Sequence, residues 1–149
     1  MISVVLPSNR CDVWLRDSID SILNSICEVE IQVIVVLNNL DDEQSRNVPS
    51  LQSMYGGKID LLILEDGTLV DALNYGIEKS KFEFIARLDS DDTMANFRLQ
   101  RQFDFLQQNE DVALVGSAVI LINENSEKIG FKKYPLHNSD IKSCFRFGN

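Results

Sequence analysis

The residues best suited to carry chemistry form the acidic tetrapeptide Asp89–Asp92. It reads Asp-Ser-Asp-Asp and directly follows the apolar run Phe84–Leu88. Three carboxylates within four residues repel one another, so a fold that gathers them needs a compensating cation or a well-hydrated surface. Mg²⁺ and Mn²⁺ prefer oxygen ligands, and commonly use one or two protein carboxylates together with substrate phosphates. From spacing alone, a metal–nucleotide site and a solvated loop that caps a helix remain equally compatible with this segment.

The elements that must position the acidic tetrapeptide follow from the hydrophobic pattern. Four short apolar runs predict strands at residues 2–6, 31–37, 59–64 and 82–88. Segments whose apolar side chains recur at helical spacing separate these runs. Strand–helix alternation through four units implies right-handed crossovers between parallel strands. We therefore predict an α/β fold with a mainly parallel sheet and helices on both faces.

Local signals refine the helical segments. Asp12 is placed to cap the first helix, because aspartate is favoured at the N-cap position. The polar stretch 41–55 predicts an irregular or broken helix, since Pro49 interrupts its weak helical pattern. Asn96 is a candidate cap for a later helix that carries apolar residues on one face. These segments would form the connections between successive strands.

The last part of the chain predicts a β-hairpin. Residues 112–122 and 128–134 have the composition of strands, and the polar turn 123–126 separates them. No helical pattern is expected between this hairpin and the end of the sequence. We therefore predict a single domain over residues 1–149, which ends in the hairpin.

Polar side chains follow each of the four predicted parallel strands. In parallel sheets, ligands bind outside the carboxyl ends of the strands, so these side chains should gather at one edge. This convergence is stronger evidence for a site than any single motif. The residues concerned are Ser8 and Asn9, then Asn38 and Asn39, then Asp66, and finally Asp89–Asp92.

Composition excludes several classes of function. The 14 basic residues against 23 acidic ones give a net charge of −9, and no basic block extends beyond Lys132 and Lys133, which argues against nucleic-acid binding. The three cysteines are widely spaced and predict reduced thiols in an intracellular protein. No signal peptide or membrane-spanning stretch is visible. We expect a cytoplasmic protein, and peripheral attachment of the full-length protein at the inner face of the membrane stays open.

Four ordered segments carry a family resemblance: Val4–Asn9, Asp66–Gly76, Phe84–Asp92 with its Asp-x-Asp motif, and Arg98–Gln102. Together they resemble the nucleotide-binding half of family-2 glycosyltransferases, which are inverting enzymes with the GT-A fold, a Rossmann-like arrangement. An Asp-x-Asp motif alone is weak evidence, but the ordered set at these spacings is specific. The Gly-rich phosphate loops of other nucleotide folds are absent from the sequence.

The resemblance implies a donor, a cofactor and a set of site residues. The donor would be a nucleotide-diphosphate sugar, with a UDP-sugar expected, and Mn²⁺ or Mg²⁺ would neutralise its diphosphate. Asp91 would hold the metal with Asp89 as a second ligand, while Asp92 would order the loop or the next helix. The resemblance implies that the nucleotide contacts come from Pro7, Ser8, Asn9, Asn38, Asp66 and Asp89.

The implied reaction transfers the sugar to a hydroxyl of a saccharide or lipid-linked acceptor, with inversion, in polysaccharide or glycoconjugate synthesis. The family places its general base in a second half, so we expect that residue downstream of Asn149 and expect the chain to be an N-terminal fragment. No catalytic residue is therefore assigned within the chain, and the resemblance is compatible with a fragment that is inactive by itself. Two alternatives remain: a nucleotidyltransferase that makes sugar nucleotides, and a non-catalytic metal- or nucleotide-binding module.

Overall fold

The computed structural model describes residues 1–147, with side chains described through Cys144. The chain divides into two compact units, Met1–Gln107 and Gln108–Asn149. No helix within the described residues is both long and apolar enough to cross a membrane. The first unit contains the parallel sheet and the second contains the hairpin.

The first unit is built on a four-stranded sheet in the order β3-β2-β1-β4, with every neighbouring pair parallel. The two central strands are almost completely buried, as expected for strands covered on both faces. The prediction of a mainly parallel α/β fold is confirmed. The strands are β1 Ile2–Ser8, β2 Ile31–Asn38, β3 Asp60–Leu64 and β4 Phe84–Arg87.

Helices cover both faces of this sheet. Alternate residues of a strand point to opposite faces, and the buried side chains accordingly form two separate clusters. The larger cluster joins Val4 and Leu6 of β1 to side chains of α1, α3 and α5, and the smaller joins Val5 to Ala72 of α4. The helices of this unit are α1 Val13–Leu23, α2 Asp42–Ser45, α3 Val48–Tyr55, α4 Leu69–Glu78 and α5 Arg98–Gln108.

The helix termini follow the local sequence. Asp12 is the N-cap of α1, and its carboxylate accepts a hydrogen bond from the Leu15 N–H, as predicted. The predicted broken helix is also confirmed, because α2 and α3 are separate and Pro49 lies in the first turn of α3. The fifth helix begins at Arg98, two residues after the predicted cap Asn96.

A polar network joins the amino ends of the sheet strands. The Ser3 hydroxyl donates to Gln32 Oε1 over 2.6 Å, and Gln32 Nε2 donates to Asp60 Oδ2 over 2.7 Å. Backbone N–H groups that precede β4 complete the network, since Lys81 N–H donates to Gln32 Oε1 and Phe82 N–H donates to Ser3 Oγ. We call this set the amino-end network. It links the residues that precede β4 to β1 and β2.

The second unit contains the predicted antiparallel hairpin, formed by β5 Val119–Ile122 and β6 Lys128–Lys132. The predicted strand over 112–122 was too long, because residues 112–118 have no strand partner within the described part of the chain. The helix α6, Asn138–Phe147, follows the hairpin, where no helix was predicted. A signal for this helix was present, because Ile141, Cys144 and Phe145 recur at helical spacing.

Candidate functional site

An open cleft of about 440 Å³ lies at the carboxyl ends of the parallel strands, within the first unit. Loops that follow β1, β2 and β4 form it, together with the start of α4. This is the position at which α/β sheets bind ligands, because polar groups of several loops converge there. The residues that line the cleft are Pro7, Ser8, Asn9, Arg10, Asn38, Asn39, Gly67, Thr68, Leu69, Arg87, Asp89, Ser90 and Asp91.

The fold brings most of the sequence-predicted site residues to this cleft. The first-strand residues Pro7–Asn9 line it, as do Asn38, Asp89 and Asp91. Asp66 is not among the lining residues, whereas Gly67 and Thr68, its neighbours in sequence, are. The nucleotide and metal contacts themselves stay predictions.

The loop that follows β1 is held by side chains. Ser8 Oγ donates to the Arg10 carbonyl over 2.8 Å and accepts from the Arg10 N–H over 3.2 Å. The next residue is clamped on both sides, since Cys11 N–H donates to Gln44 Oε1 over 2.6 Å and Asn47 Nδ2 donates to the Cys11 carbonyl over 3.0 Å. These bonds satisfy backbone groups that no sheet ladder serves, so the loop is ordered before any ligand arrives.

Cys11 itself is completely buried. Burial raises the pKa of its thiol, with only partial compensation from the Arg16 charge. A buried thiol with a raised pKa is a poor nucleophile. Cys11 therefore belongs to the support of the cleft.

Asn39 joins two loops of the cleft. Its side-chain Nδ2 donates to the Gly67 carbonyl, and its Oδ1 accepts from the Gly67 N–H over 3.2 Å. Asn39 has a φ of 52°, a left-handed conformation that asparagine tolerates better than most residues. The side chain thus acts as a brace between the loop after β2 and the loop before α4.

The start of α4 is capped by its own residues. Thr68 and Asp71 form a reciprocal capping box, in which Thr68 Oγ1 accepts from the Asp71 N–H and the Asp71 carboxylate accepts from the Thr68 N–H. The Thr68 N–H and the Thr68 hydroxyl both donate to the Asp71 carboxylate and hold its pKa below the ordinary value. Thr68 is consequently fixed at the edge of the cleft.

Within the acidic tetrapeptide, the three carboxylates have different surroundings. Both Nε and a terminal nitrogen of Arg87 lie 2.8 Å from Oδ1 of Asp89. Asp91 lines the cleft and is exposed, whereas Asp92 is outside the set of lining residues. Local desolvation and the charges of Asp91 and Asp89 raise the pKa of Asp92. Asp91 is therefore the most accessible carboxylate of the cleft.

The backbone around Asp92 anchors the tetrapeptide to α1. The Ser18 hydroxyl donates to the Asp92 carbonyl over 2.6 Å, and the Met94 N–H donates to Ser21 Oγ over 3.0 Å. The Asp92 N–H closes a turn by donating to the Asp89 carbonyl over 3.1 Å. The expectation that Asp92 orders the loop agrees with this arrangement, although its backbone makes these contacts and its carboxylate does not.

A family comparison decides what kind of protein carries this cleft. The model of glycosyl transferase family 2 matches residues 3–144, which is nearly the whole chain. The chain belongs to glycosyltransferase family 2.

Curated relatives agree with this family assignment. The chain is 37% identical over 150 residues to the O-antigen biosynthesis glycosyltransferase WbnJ of Escherichia coli, a match that covers 97% of this chain and 58% of WbnJ. It is 25% identical over 136 residues to the amylovoran biosynthesis glycosyltransferase AmsE of Erwinia amylovora, covering 89% of this chain and 51% of AmsE. The chain thus spans about half the length of the curated relatives it matches.

Solved structures show the same fold. The structure of TarS residues 1–349 from S. aureus in complex with UDP matches with a TM-score of 0.60 and 17% identity, covering 85% of this chain and 43% of that one. The complex of TarS with UDP-GlcNAc gives a TM-score of 0.62 at 18% identity, over 84% and 41% of the two chains. At this identity the likeness establishes the GT-A fold of a family-2 glycosyltransferase.

Several lining residues escaped the sequence analysis. Arg10 directly follows the predicted contact Asn9, and Arg87 directly precedes the last residue of its apolar run. Sequence position allowed Arg87 and Arg98 to approach a phosphate, but surface ion pairs with neighbouring carboxylates were at least as good an explanation, and Arg10 was not predicted. In the structure Arg87 lines the cleft and also forms an ion pair with Asp89.

Proposed function

We propose that this chain is the donor-binding part of a glycosyltransferase that takes a nucleotide-diphosphate sugar, with UDP as the nucleotide. The acceptor would be a hydroxyl of a saccharide or lipid-linked saccharide in polysaccharide or glycoconjugate synthesis. One observation carries this proposal: a family-2 chain gathers Pro7–Asn9, Asn38, Asp89 and Asp91 around a single open cleft.

The cleft has groups suited to each part of a nucleotide-diphosphate sugar. Pro7 and Leu69 offer apolar surface against which a base or ribose can pack, and Asn38 offers both a hydrogen-bond donor and an acceptor. Arg10 and Arg87 supply positive charge that phosphate oxygens favour. The polar surface of the cleft therefore matches an amphipathic ligand that carries negative charge.

The acidic residues suit a divalent cation. Within the described residues, no group of three or more His, Cys, Asp or Glu side chains could hold a metal ion by itself. Mg²⁺ commonly binds through one or two carboxylates and takes its other ligands from water and phosphates, so Asp91 and Asp89 fit Mg²⁺ or Mn²⁺ together with a diphosphate. When bound, such a cation would supply Lewis-acid stabilisation of the leaving diphosphate.

The proposed reaction is an in-line displacement at the anomeric carbon. The acceptor oxygen forms a bond to that carbon as the bond to the phosphate oxygen breaks, and UDP leaves with the electron pair. The acceptor proton passes to a general base, which we expect downstream of Asn149. This geometry inverts the anomeric configuration. The role of the present chain is to bind and orient the donor.

Titration with UDP in the presence and absence of Mn²⁺ tests the proposal. We expect calorimetry to show UDP binding that requires Mn²⁺ or Mg²⁺, with Asp91→Asn weakening it about a hundredfold because a carboxylate ligand is lost. Asp91 is exposed at the hydrated edge of the sheet. The free energy of unfolding of the Asp91→Asn variant should therefore differ from that of wild type by less than about 0.5 kcal/mol.

The matched control is Asp17→Asn, which removes one carboxylate from the exposed surface of α1, outside the cleft. It lowers the negative charge of the protein by the same amount and should leave UDP affinity within about twofold. An equal loss of UDP affinity in the two variants would show that the change in net charge, and not the loss of a metal ligand, causes the effect. Binding of Ca²⁺ alone, with no heat from UDP and Mn²⁺, would favour the non-catalytic binding module.

A further inference from the structure

The cleft contains an ion pair at the position where a cation would bind. Arg87 Nε donates a hydrogen bond to Oδ1 of Asp89 over 2.8 Å, and a terminal nitrogen of the same guanidinium lies 2.8 Å from that oxygen. Both side chains are about half exposed, at 51% and 46%, and both residues line the cleft. The carboxylate expected to help hold a metal is thus already partly neutralised by the protein.

The backbone of Arg87 is held by the sheet, while its side chain is about half exposed. Arg87 pairs in register with Val5 of β1, and its carbonyl accepts a hydrogen bond from a terminal nitrogen of Arg98 over 3.0 Å. The Leu88 N–H that follows donates to the Val5 carbonyl over 3.2 Å. A long arginine side chain on a fixed strand end can change its partner without any rearrangement of the sheet.

Two cations cannot share the Asp89 carboxylate at close range without mutual repulsion. An exposed ion pair is weak because water solvates both partners well, so it can be exchanged for a better one. A diphosphate offers arginine several charged oxygens in a geometry that accepts two parallel hydrogen bonds. A more favourable partner for Arg87 would therefore arrive with the donor.

We propose that Arg87 exchanges partners during donor binding: it neutralises Asp89 in the empty cleft, and turns to the donor diphosphate when a divalent cation takes its place on Asp89. This inference rests on the proposed function, since it assumes a diphosphate donor. Arg87 then competes with the cation when no nucleotide is present. It cooperates with the cation when the nucleotide is bound.

The second cleft arginine provides a matched comparison. Arg10 also lines the cleft, but its Nε lies 3.5 Å from Asp12 Oδ2, and Asp12 is not a lining residue. Removing Arg10 deletes the same charge from the same cleft without freeing a carboxylate of the acidic tetrapeptide. Only the loss of Arg87 should change the affinity for the cation alone.

The experiment measures two affinities in the wild-type chain, Arg87→Met and Arg10→Met. Electron paramagnetic resonance of free Mn²⁺ gives the affinity for the cation alone, and calorimetry gives UDP affinity at saturating Mn²⁺. We expect Arg87→Met to bind Mn²⁺ alone about three- to tenfold more tightly, and UDP about tenfold more weakly. Arg10→Met should leave the affinity for Mn²⁺ alone within about twofold, and Arg87→Lys should restore part of the UDP affinity.

The proposal predicts effects of opposite sign on the two affinities. A purely structural role of Arg87 would instead weaken the binding of both Mn²⁺ and UDP. Unchanged or weaker Mn²⁺ binding in Arg87→Met would overturn the proposal, and so would equal tightening in Arg10→Met. If the wild-type chain bound no UDP in the presence of any cation, the proposed function and the transfer of Arg87 to the diphosphate would both be contradicted. In that case the Mn²⁺ measurement alone still decides whether Arg87 competes for Asp89.

Discussion

The two ends of the parallel sheet carry similar polar residues and use them differently. At the amino ends, the side chains of Ser3, Gln32 and Asp60 bind one another and nearby backbone groups. At the carboxyl ends, Asn38 and Asp91 line an open cleft, in which Asn38 is mostly buried and Asp91 is exposed. Polar groups that find partners within the protein stabilise the fold, whereas those left facing solvent are available to a ligand.

The difference arises from what surrounds each set. Gln32 is 8% exposed, and its carboxamide accepts from Ser3 Oγ and the Lys81 N–H while donating to Asp60. The polar groups around the cleft divide in a similar way, because Asn39 and Ser8 at its lining and Gln44 behind it hydrogen-bond to backbone groups of the loops. We call Ser8, Asn39 and Gln44, which fix the loops, the inner layer of the cleft. The outer layer consists of lining side chains that are available to a ligand, such as Asp91.

The largest effect is expected from breaking the amino-end network. Gln32→Leu should lower the free energy of unfolding by about 2 to 4 kcal/mol, because it leaves the buried Ser3 hydroxyl and the partly buried Lys81 N–H without their partner. UDP affinity of the folded variant should stay within about twofold. Urea denaturation and calorimetry measure the two quantities, with Gln52→Leu on the exposed surface of α3 as control. If the folded Gln32→Leu variant bound UDP much more weakly than wild type, the amino ends of the strands would also contribute to binding, and the distinction between the two ends would fail.

An alkaline pH titration probes the framework outside the cleft. Tyr55 is 4% exposed, and its hydroxyl donates to Asp20 over 2.9 Å. Burial, together with this carboxylate, raises the pKa of Tyr55 to about 12. The unfolded state ionises first, so the stability contributed by Tyr55 is present below about pH 10 and is lost as pH rises toward about 12.

Urea denaturation across this range measures the effect. Wild type should lose about 2 kcal/mol more than Tyr55→Phe between pH 10 and 12, since phenylalanine has no proton to lose. Tyr134→Phe, at an exposed position in the second unit, is the control and should follow wild type. Parallel curves for wild type and Tyr55→Phe would contradict the assigned shift.

A smaller effect is expected where the inner layer supports the outer one. Gln44→Leu removes the acceptor of the Cys11 N–H and should weaken UDP binding about tenfold, because the loop that carries Asn9 loses a restraint. Gln44→Glu keeps an oxygen at that position and should restore affinity to within about threefold. Calorimetry in saturating Mn²⁺ measures both. If leucine and glutamate behave alike, the hydrogen bond is not what orders the loop.

The smallest effect sharpens the boundary of the cleft. Asp66→Asn should change UDP affinity by less than about twofold, because Asp66 is exposed and lies outside the lining residues. The comparison is Asn38→Ala, at a buried position that does line the cleft, and we expect about tenfold weaker binding. A loss of affinity in Asp66→Asn as large as that in Asn38→Ala would return Asp66 to the set of nucleotide contacts.

Much of the first unit could be predicted from local patterns. The strand runs, the Asp12 cap and the break near Pro49 depend on interactions between residues close in sequence. Residues 112–118 show where this reasoning fails, since an apolar stretch forms a strand only if a partner pairs with it. Whether such a partner exists is a property of the whole fold.

The sequence by itself determined the parallel α/β class, the edge of the sheet at which polar residues gather, and the family resemblance, because each rests on periodicity and ordered motifs. Only the tertiary structure decided which polar groups are free. Asn38 and Asn39 are identical neighbours, yet Asn38 lines the cleft while the carboxamide of Asn39 braces Gly67. Gly67, a partner distant in sequence, sets that difference, because such hydrogen bonds form only between groups that the fold brings together.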